Sequence, residues 1–259
     1  MAQSAAMNVM RAAVEKAGRA LRRDFGEVEN LQVSKKGPGD FVSQADLKAE
    51  KILFEELSEA RPGYGFLMEE RGLVEGADAT HRWIIDPLDG TTNFLHGIPH
   101  FAISVALERE GTLVAGIVYN PITDELFFAE RGQGAYGPGG RLRVSGRNKL
   151  SDAVISTRFA YKSPDGFKTP ALEIEKLLPQ VAGLRNFGSA ALDLAYVAAG
   201  RFDGYVEFGL EAWDYAAGIV LVREAGGLVS DETNRQKMLE NGNIVAGNED
   251  LHAALLKSL

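Results

Sequence analysis

The stretch Trp83-Ile84-Ile85-Asp86-Pro87-Leu88-Asp89-Gly90-Thr91-Thr92-Asn93-Phe94 constrains this chain more than any other. Its apolar start reads as a buried strand. Pro87 removes a backbone donor, so the spacing predicts that a central strand stops there. Asp86 and Asp89 flank that break. Gly90 allows a sharp turn, and Thr91-Thr92 supply hydroxyls where a helix could begin. Acids at a strand end, followed by a helix start, can hold divalent cations beside a site that welcomes phosphate. Pro-x-Asp-Gly is also ordinary turn chemistry, and this stretch alone leaves both readings open.

Other acids have comparable placement. Glu69-Glu70 follow the apolar run Tyr64–Met68 and read either as a solvated turn or as ligands beside a core. Asp214 precedes the alanine-rich run Tyr215-Ala-Ala-Gly-Ile-Val-Leu-Val; it reads as a helix cap or as a further acid aimed at the same cations. Several carboxylates delivered from separate elements are what a multi-magnesium site requires, because hard cations each take several oxygen ligands. His96 and His100 are separated by Pro99, which denies them a shared helix face, and they read as packing or surface residues. No Gly-x-Ser-x-Gly elbow and no Walker loop is present. Gly132-Gln-Gly134-Ala-Tyr-Gly137 formally fits a dinucleotide fingerprint, but Pro138-Gly139-Gly140 cannot open the helix it needs; a hairpin tip is expected.

The remaining elements follow from periodicity. Residues 4–25 form a helix with Ala5, Val9, Ala12, Ala13 and Leu21 near a helical repeat. Val33 to Asp40 reads as a basic, breaker-rich loop. Ser43-Gln-Ala-Asp46 opens a second helix that Arg61-Pro62-Gly63 ends. Phe101–Leu107 and Leu113–Tyr119 form a hairpin, and Glu125–Ala129 is another strand. The second half reads as a strand at Ala153–Thr157, a polar loop at Tyr161–Lys168, a helix at Pro170–Leu178 and a strand at Gly183–Asn186. A helix from Gly188 to Gly200, a strand at Phe202–Phe208 and a helix at Asp214–Ala225 follow. A strand after Gly226-Gly227 and a helix at Glu249–Leu256 complete it. Mixed elements throughout argue for an α/β (α+β) arrangement of layered sheets with helices between them. At 259 residues the chain is read as one domain over 1–259, with a possible subdomain seam near 140–152.

Charge and composition narrow the function. A formal charge of −8 argues against nucleic-acid binding through a basic surface and against an anionic membrane. It does not argue against a small anionic substrate, because bound cations reverse the local sign. The absence of cysteine excludes disulfides and thiolate zinc sites. With no apolar run of about eighteen residues and no signal peptide, a soluble cytoplasmic protein is expected.

The ordered motifs Asp40-Phe-Val-Ser-Gln-Ala-Asp46, Met68-Glu69-Glu70, Trp83 to Pro99, Gly188-Ser-Ala-Ala-Leu-Asp193 and Trp213-Asp214-Tyr-Ala-Ala-Gly, continuing through Glu224-Ala-Gly-Gly227, resemble the inositol monophosphatase family over nearly the whole chain. That resemblance implies a layered αβαβα sandwich, usually a homodimer, and lithium-sensitive, magnesium-dependent hydrolysis of a phosphate monoester. It implies that Glu69, Asp86 and the Leu88 carbonyl hold one Mg2+, and that Asp86, Asp89 and Asp214 hold a second. A third, weaker ion is implied near Glu69. Glu69 and Thr91, the latter supported by Asp46, would orient the attacking water. Gly90, Thr91 and Thr92 would meet the phosphate, and Gly188, Ser189, Ala190 and Glu207 the hydroxyl-bearing part of a small phosphorylated polyol; Asp214 borders that substrate. Ser189 stands where many relatives carry threonine, and Arg71 where a small residue is common. Inositol monophosphate is the expected substrate. A bisphosphate nucleotidase, a sugar bisphosphatase and a histidinol phosphatase are sister readings, and a non-catalytic regulatory binding protein on this scaffold is the alternative of another class.

Overall fold

A computed structural model describes residues 4–27, 33–37, 40–158 and 175–259. Helix α1 (Ala5–Phe25) starts where the Ser4 hydroxyl accepts the Met7 N–H at 3.1 Å. It buries Met7, Met10, Ala13, Val14, Ala17 and Leu21. Of the helical repeat anticipated in the sequence, Ala13 and Leu21 lie on this face, whereas Ala5 and Ala12 face solvent. Strands β1 (Val33–Gly37) and β2 (Asp40–Ser43) pair antiparallel where a loop was expected. Lys35-Lys36-Gly37 carries no apolar alternation to signal a strand.

Helix α2 (Gln44–Ala60) precedes β3 (Tyr64–Met68), β4 (Gly72–Val74) and β5 (Asp78–Asp89). The five-residue α3 (Thr91–Leu95) leads into β6 (Ala102–Arg109), β7 (Thr112–Asn120), β8 (Glu125–Glu130), β9 (Gly134–Gly137) and β10 (Gly140–Arg141). These strands form a sheet ordered β10-β9-β8-β7-β6-β5-β3-β4, antiparallel except between β3 and β5. The Gly134–Gly137 segment is a strand of this sheet, not a nucleotide loop.

After residues 142–149, which carry neither helix nor strand, a 3₁₀ turn (Leu150–Asp152) introduces β11 (Val154–Thr157). Next come β12 (Gly183–Arg185), α4 (Ala190–Ala198), β13 (Gly204–Glu207) and α5 (Ala212–Glu224). The chain ends with β14 (Leu228–Ser230), α6 (Met238–Asn241), β15 (Ile244–Gly247) and α7 (Glu249–Ser258). The second sheet runs β12-β11-β13-β15-β14. Strand β15, whose four residues are all buried, has no alternation and was not anticipated from sequence. The expected Tyr161–Lys168 loop lies outside the described residues, as does most of the expected Pro170–Leu178 helix; residues 175–177 are helical.

The layers follow from side-chain alternation. In β5, Trp83 and Ile85 join the core under α1 and α2, while Ile84 faces α4 and α5. In β6, Ile103, Val105 and Leu107 point to the first core and the small Ala102 and Ala106 to the second. Small residues on that face let α5 come close: a Cβ at Gly116 would lie 2.6 Å from the Ala217 carbonyl oxygen. Helices α4 and α5 therefore fill the space between the sheets, and α7 covers the far face of the second through Leu251 and Leu255. The order is αβαβα, as the family resemblance implied.

Pro87 corrects one expectation. Strand β5 passes through it to Asp89, because three steps from Asp86 to Asp89 oppose two from Ser104 to Ala102. That extra residue is a β-bulge. The parallel pairing with β3 has already ended at Ile85, so the bulge disturbs one neighbour only.

Candidate active site

The bulge delivers both acids to one place. Asp86 is 2% exposed, and its Oδ1 accepts the Leu88 N–H at 2.9 Å. Asp89 reaches across to the second half of the chain: its Oδ2 accepts the Ser189 hydroxyl at 2.6 Å and the Ala191 N–H at 2.7 Å, at the start of α4. Gly90 follows with φ 97°, and a Cβ there would meet the His100 carbonyl oxygen at 3.1 Å and the Gly188 carbonyl oxygen at 3.2 Å. Only glycine suits that turn. Asn93 Nδ2 then donates to the carbonyls of His100 and Phe187, each at 2.7 Å, tying α3 to the loop before α4.

Glu69 arrives from the end of β3, and Asp214 from the first turn of α5. Asp214 is not the N-cap that one reading of the sequence made it: the helix begins two residues earlier, and Asp214 Oδ2 accepts the Glu211 N–H at 2.9 Å from the third helical position. Glu69, Asp86, Leu88, Asp89, Gly90, Thr91, Thr92, Gly188 and Asp214 line one cleft of about 140 Å3, together with Arg158. Asp46 stands behind it, fully buried, with Thr91 Oγ1 3.1 Å from its Oδ1 and 3.1 Å from the Leu88 carbonyl. The single hydroxyl proton serves one of these acceptors at a time or is shared between them. Ser189 and Ala190 are buried behind the wall; Ser189 caps α4, its Oγ 3.4 Å from the Leu192 N–H.

The electrostatics is that of acids crowded together out of water. Burial raises Asp86 well above the usual carboxylate range, with further repulsion from Glu69, Asp89 and Asp214. Burial and then Asp89 do the same for Asp214. Asp89 is raised by burial, against which the bonds from Ser189 and Ala191 and the Arg158 charge act. Among the described residues no three His, Cys, Asp or Glu side chains stand close enough to hold an ion by themselves. Like charges with nothing between them repel, and a hard cation also draws on carbonyls and water. The donor set fits Mg2+: oxygen atoms only, one of them the Leu88 carbonyl, and acids whose ionisation a divalent cation would favour.

Sequence reasoning missed two residues here. Glu50, 1% exposed in α2, accepts the Glu70 N–H at 2.8 Å and pairs with Arg71 Nε at 3.2 Å, fixing the turn that carries Glu69. Its helical position reads like any polar face residue. Arg158, one residue past β11, had no motif to mark it. His100, an expected packing residue, lies edge-on to Phe187 and Tyr196, and burial lowers its pKa.

A family model described as the inositol monophosphatase family matches residues 3–259. An inositol-1-monophosphatase of Mesorhizobium japonicum is 62% identical over 259 residues, covering 100% of this chain and 97% of that protein. The Nus factor SuhB of Pseudomonas aeruginosa is 44% identical, covering 98% and 95%. The crystal structure of the extragenic suppressor protein suhB from Bartonella henselae superposes with a TM-score of 0.95 at 58% identity, covering 98% of each chain.

Proposed function

We infer the function of this chain from one premise: it belongs to the inositol monophosphatase family. It is a phosphoric monoester hydrolase, and its substrate is inositol monophosphate. The observation that carries this reading is the convergence of Glu69, Asp86, Asp89 and Asp214 on one cleft beside the turn at Gly90.

Glu69, Asp86 and the Leu88 carbonyl would hold one Mg2+; Asp86, Asp89 and Asp214 would hold another, with a third near Glu69. When bound, magnesium lowers the pKa of nearby water and neutralises charge on phosphate and leaving oxygen. The chain's own groups then position the reaction. Thr91 donates its proton to Asp46 Oδ1, which leaves an Oγ1 lone pair to accept a hydrogen bond from the attacking water; Glu69 accepts from the same water. The first-turn N–H groups of Gly90, Thr91 and Thr92 face the phosphate, and no intrahelical acceptor competes for them. The water oxygen bonds to phosphorus as the ester bond breaks; the water passes a proton to Glu69 and on to solvent, and the departing alkoxide takes one from solvent. Gly188 and Glu207 form the end that meets the polyol, with Ser189 and Ala190 buried behind it.

Uncatalysed monoester hydrolysis is slow enough that enzymes accelerate it by up to ~10²¹-fold, so positioning and charge neutralisation suffice without a covalent nucleophile. Phosphate release from monophosphates and bisphosphates, with Mg2+ and with chelator, tests the reading. Inositol monophosphate is expected to give the highest kcat/KM, and only with metal. A bisphosphate leading instead would favour a sister activity, and no release from any ester would favour a binding protein. The relative named as a Nus factor lends that last reading weight; the higher identity to inositol-1-monophosphatases and the retained acids outweigh it. Lithium inhibition, a homodimer and a cytoplasmic location complete the proposal. Sedimentation at micromolar concentration tests the dimer. No described helix is long and apolar enough to cross a membrane.

A further inference from the structure

One wall of the cleft carries acids, and the other carries a cation that no part of the reaction has used. Arg158 follows β11, Glu207 ends β13, and the parallel register that pairs Thr157 with Val206 sets these two side by side. Arg158 Nε lies 3.3 Å from Glu207 Oε1. Glu207 is 5% exposed, and its Oε2 accepts the Tyr205 hydroxyl at 2.6 Å. Its Oε1 is buried without a hydrogen-bond partner among the described residues, because the contact with Arg158 has ion-pair but not hydrogen-bond geometry. The Arg158 side chain remains 45% exposed and borders the cleft.

A buried carboxylate oxygen without a donor is costly, so this atom awaits one from outside the chain. A hydroxyl supplies it. A hydroxyl also carries lone pairs, which a guanidinium with five N–H donors can fill. A bare carboxylate would take any donor; a carboxylate joined to a guanidinium takes a group that donates and accepts at once. An aryl or simple alkyl leaving group offers neither function.

We propose that Arg158 is a specificity-determining residue: with Glu207 it brackets one hydroxyl of the leaving group, which donates to Glu207 Oε1 and accepts from the guanidinium. The pair selects phosphate monoesters of polyols over those of hydroxyl-free alcohols and phenols. This rests on the phosphatase reading of the same cleft. A grip of Arg158 on the transferred phosphoryl group would instead affect every ester alike.

The test compares initial rates of phosphate release by the full-length protein with Mg2+ on myo-inositol 1-phosphate and on 4-nitrophenyl phosphate. The wild type prefers the inositol ester. In Arg158→Ala that preference, as a ratio of kcat/KM values, drops about ten- to hundredfold, the size of one charge-assisted hydrogen bond. The drop comes chiefly from a raised KM for the inositol ester, and Arg158→Lys restores part of it. Glu207→Gln lowers the same ratio and serves as the second probe should Arg158→Ala fail to fold. No preference in the wild type, equal losses on both esters, or a preference that survives Arg158→Ala overturns the role of Arg158. A wild type that releases phosphate from neither ester overturns the phosphatase reading itself.

Discussion

The two walls of the cleft solve opposite problems. The wall built on the first sheet and the start of α5 gathers Asp86, Asp89 and Asp214 out of water, where burial and the neighbouring acids raise the pKa of Asp86 and Asp214. The wall built on the second sheet sets Glu207 between a phenol and a guanidinium, which oppose the upward push of burial on its pKa. The first concentrates negative charge; the second is close to neutral by itself. Like charges held together by a rigid bulge store repulsion that a ligand can release, whereas a compensated pair is a template for a neutral polar group. The first wall suits charge neutralisation, and the second suits recognition.

The sharpest way to break this contrast is Asp89→Asn. It removes one charge from the acidic wall while leaving an oxygen to accept the Ala191 N–H, so turnover is expected to fall on the order of 10³-fold or more with little change in fold. Steady-state rates beside a thermal melt check this, and normal turnover would contradict a cation site at this wall. Thr91→Ala should cost about 10²-fold in kcat, the size of one positioned proton acceptor. A wild-type rate would remove Thr91 and Asp46 from the reaction.

Glu50→Gln is expected to be milder. It keeps the side-chain volume but weakens the hold on the Glu70 N–H and on Arg71, so the turn bearing Glu69 loosens; kcat should drop about tenfold and stability by about 1–2 kcal/mol. An unchanged kcat at raised Mg2+ together with a lower one at limiting Mg2+ would locate the effect in metal affinity.

The smallest effect is in stability against pH. Acids whose folded pKa is raised favour the fold below the ordinary carboxylate range and oppose it as pH rises through their folded values. The metal-free protein therefore carries a penalty at pH 8 that a cation removes. Mg2+ should raise Tm by about 5 °C at pH 8 and by less at pH 5.5. An increment that grows toward acid pH would contradict the raised acids. Comparing the increment, rather than Tm itself, cancels the opposite contribution of His100 and His252, whose pKa values burial lowers.

The acidic wall was legible because its parts lie in short local patterns. Asp86-Pro-Leu-Asp89-Gly90 announces an apolar strand, a break and a turn within a few residues, and Trp213-Asp214 announces a helix start. What the break became was not legible. Pro87 predicts an ended strand, but the pairing with Ser104 and Ala102 across a bulge lets β5 continue. Strand β15 was equally hidden: Ile244-Val-Ala-Gly247 is too short to show a period, and only its place between β13 and β14 makes it a strand. The neutral wall was half legible. Glu207 entered through resemblance, whereas Arg158 acquires meaning from a register between strands that lie far apart in sequence.

The sequence by itself settled the layered α/β class and the identity of the acids, because periodicity, breakers and caps act over one or two turns of chain. The tertiary structure decided which acids face one another and which cation opposes them. Those relations are set by strand register and helix packing across the molecule, and no local pattern encodes a contact between Arg158 and Glu207.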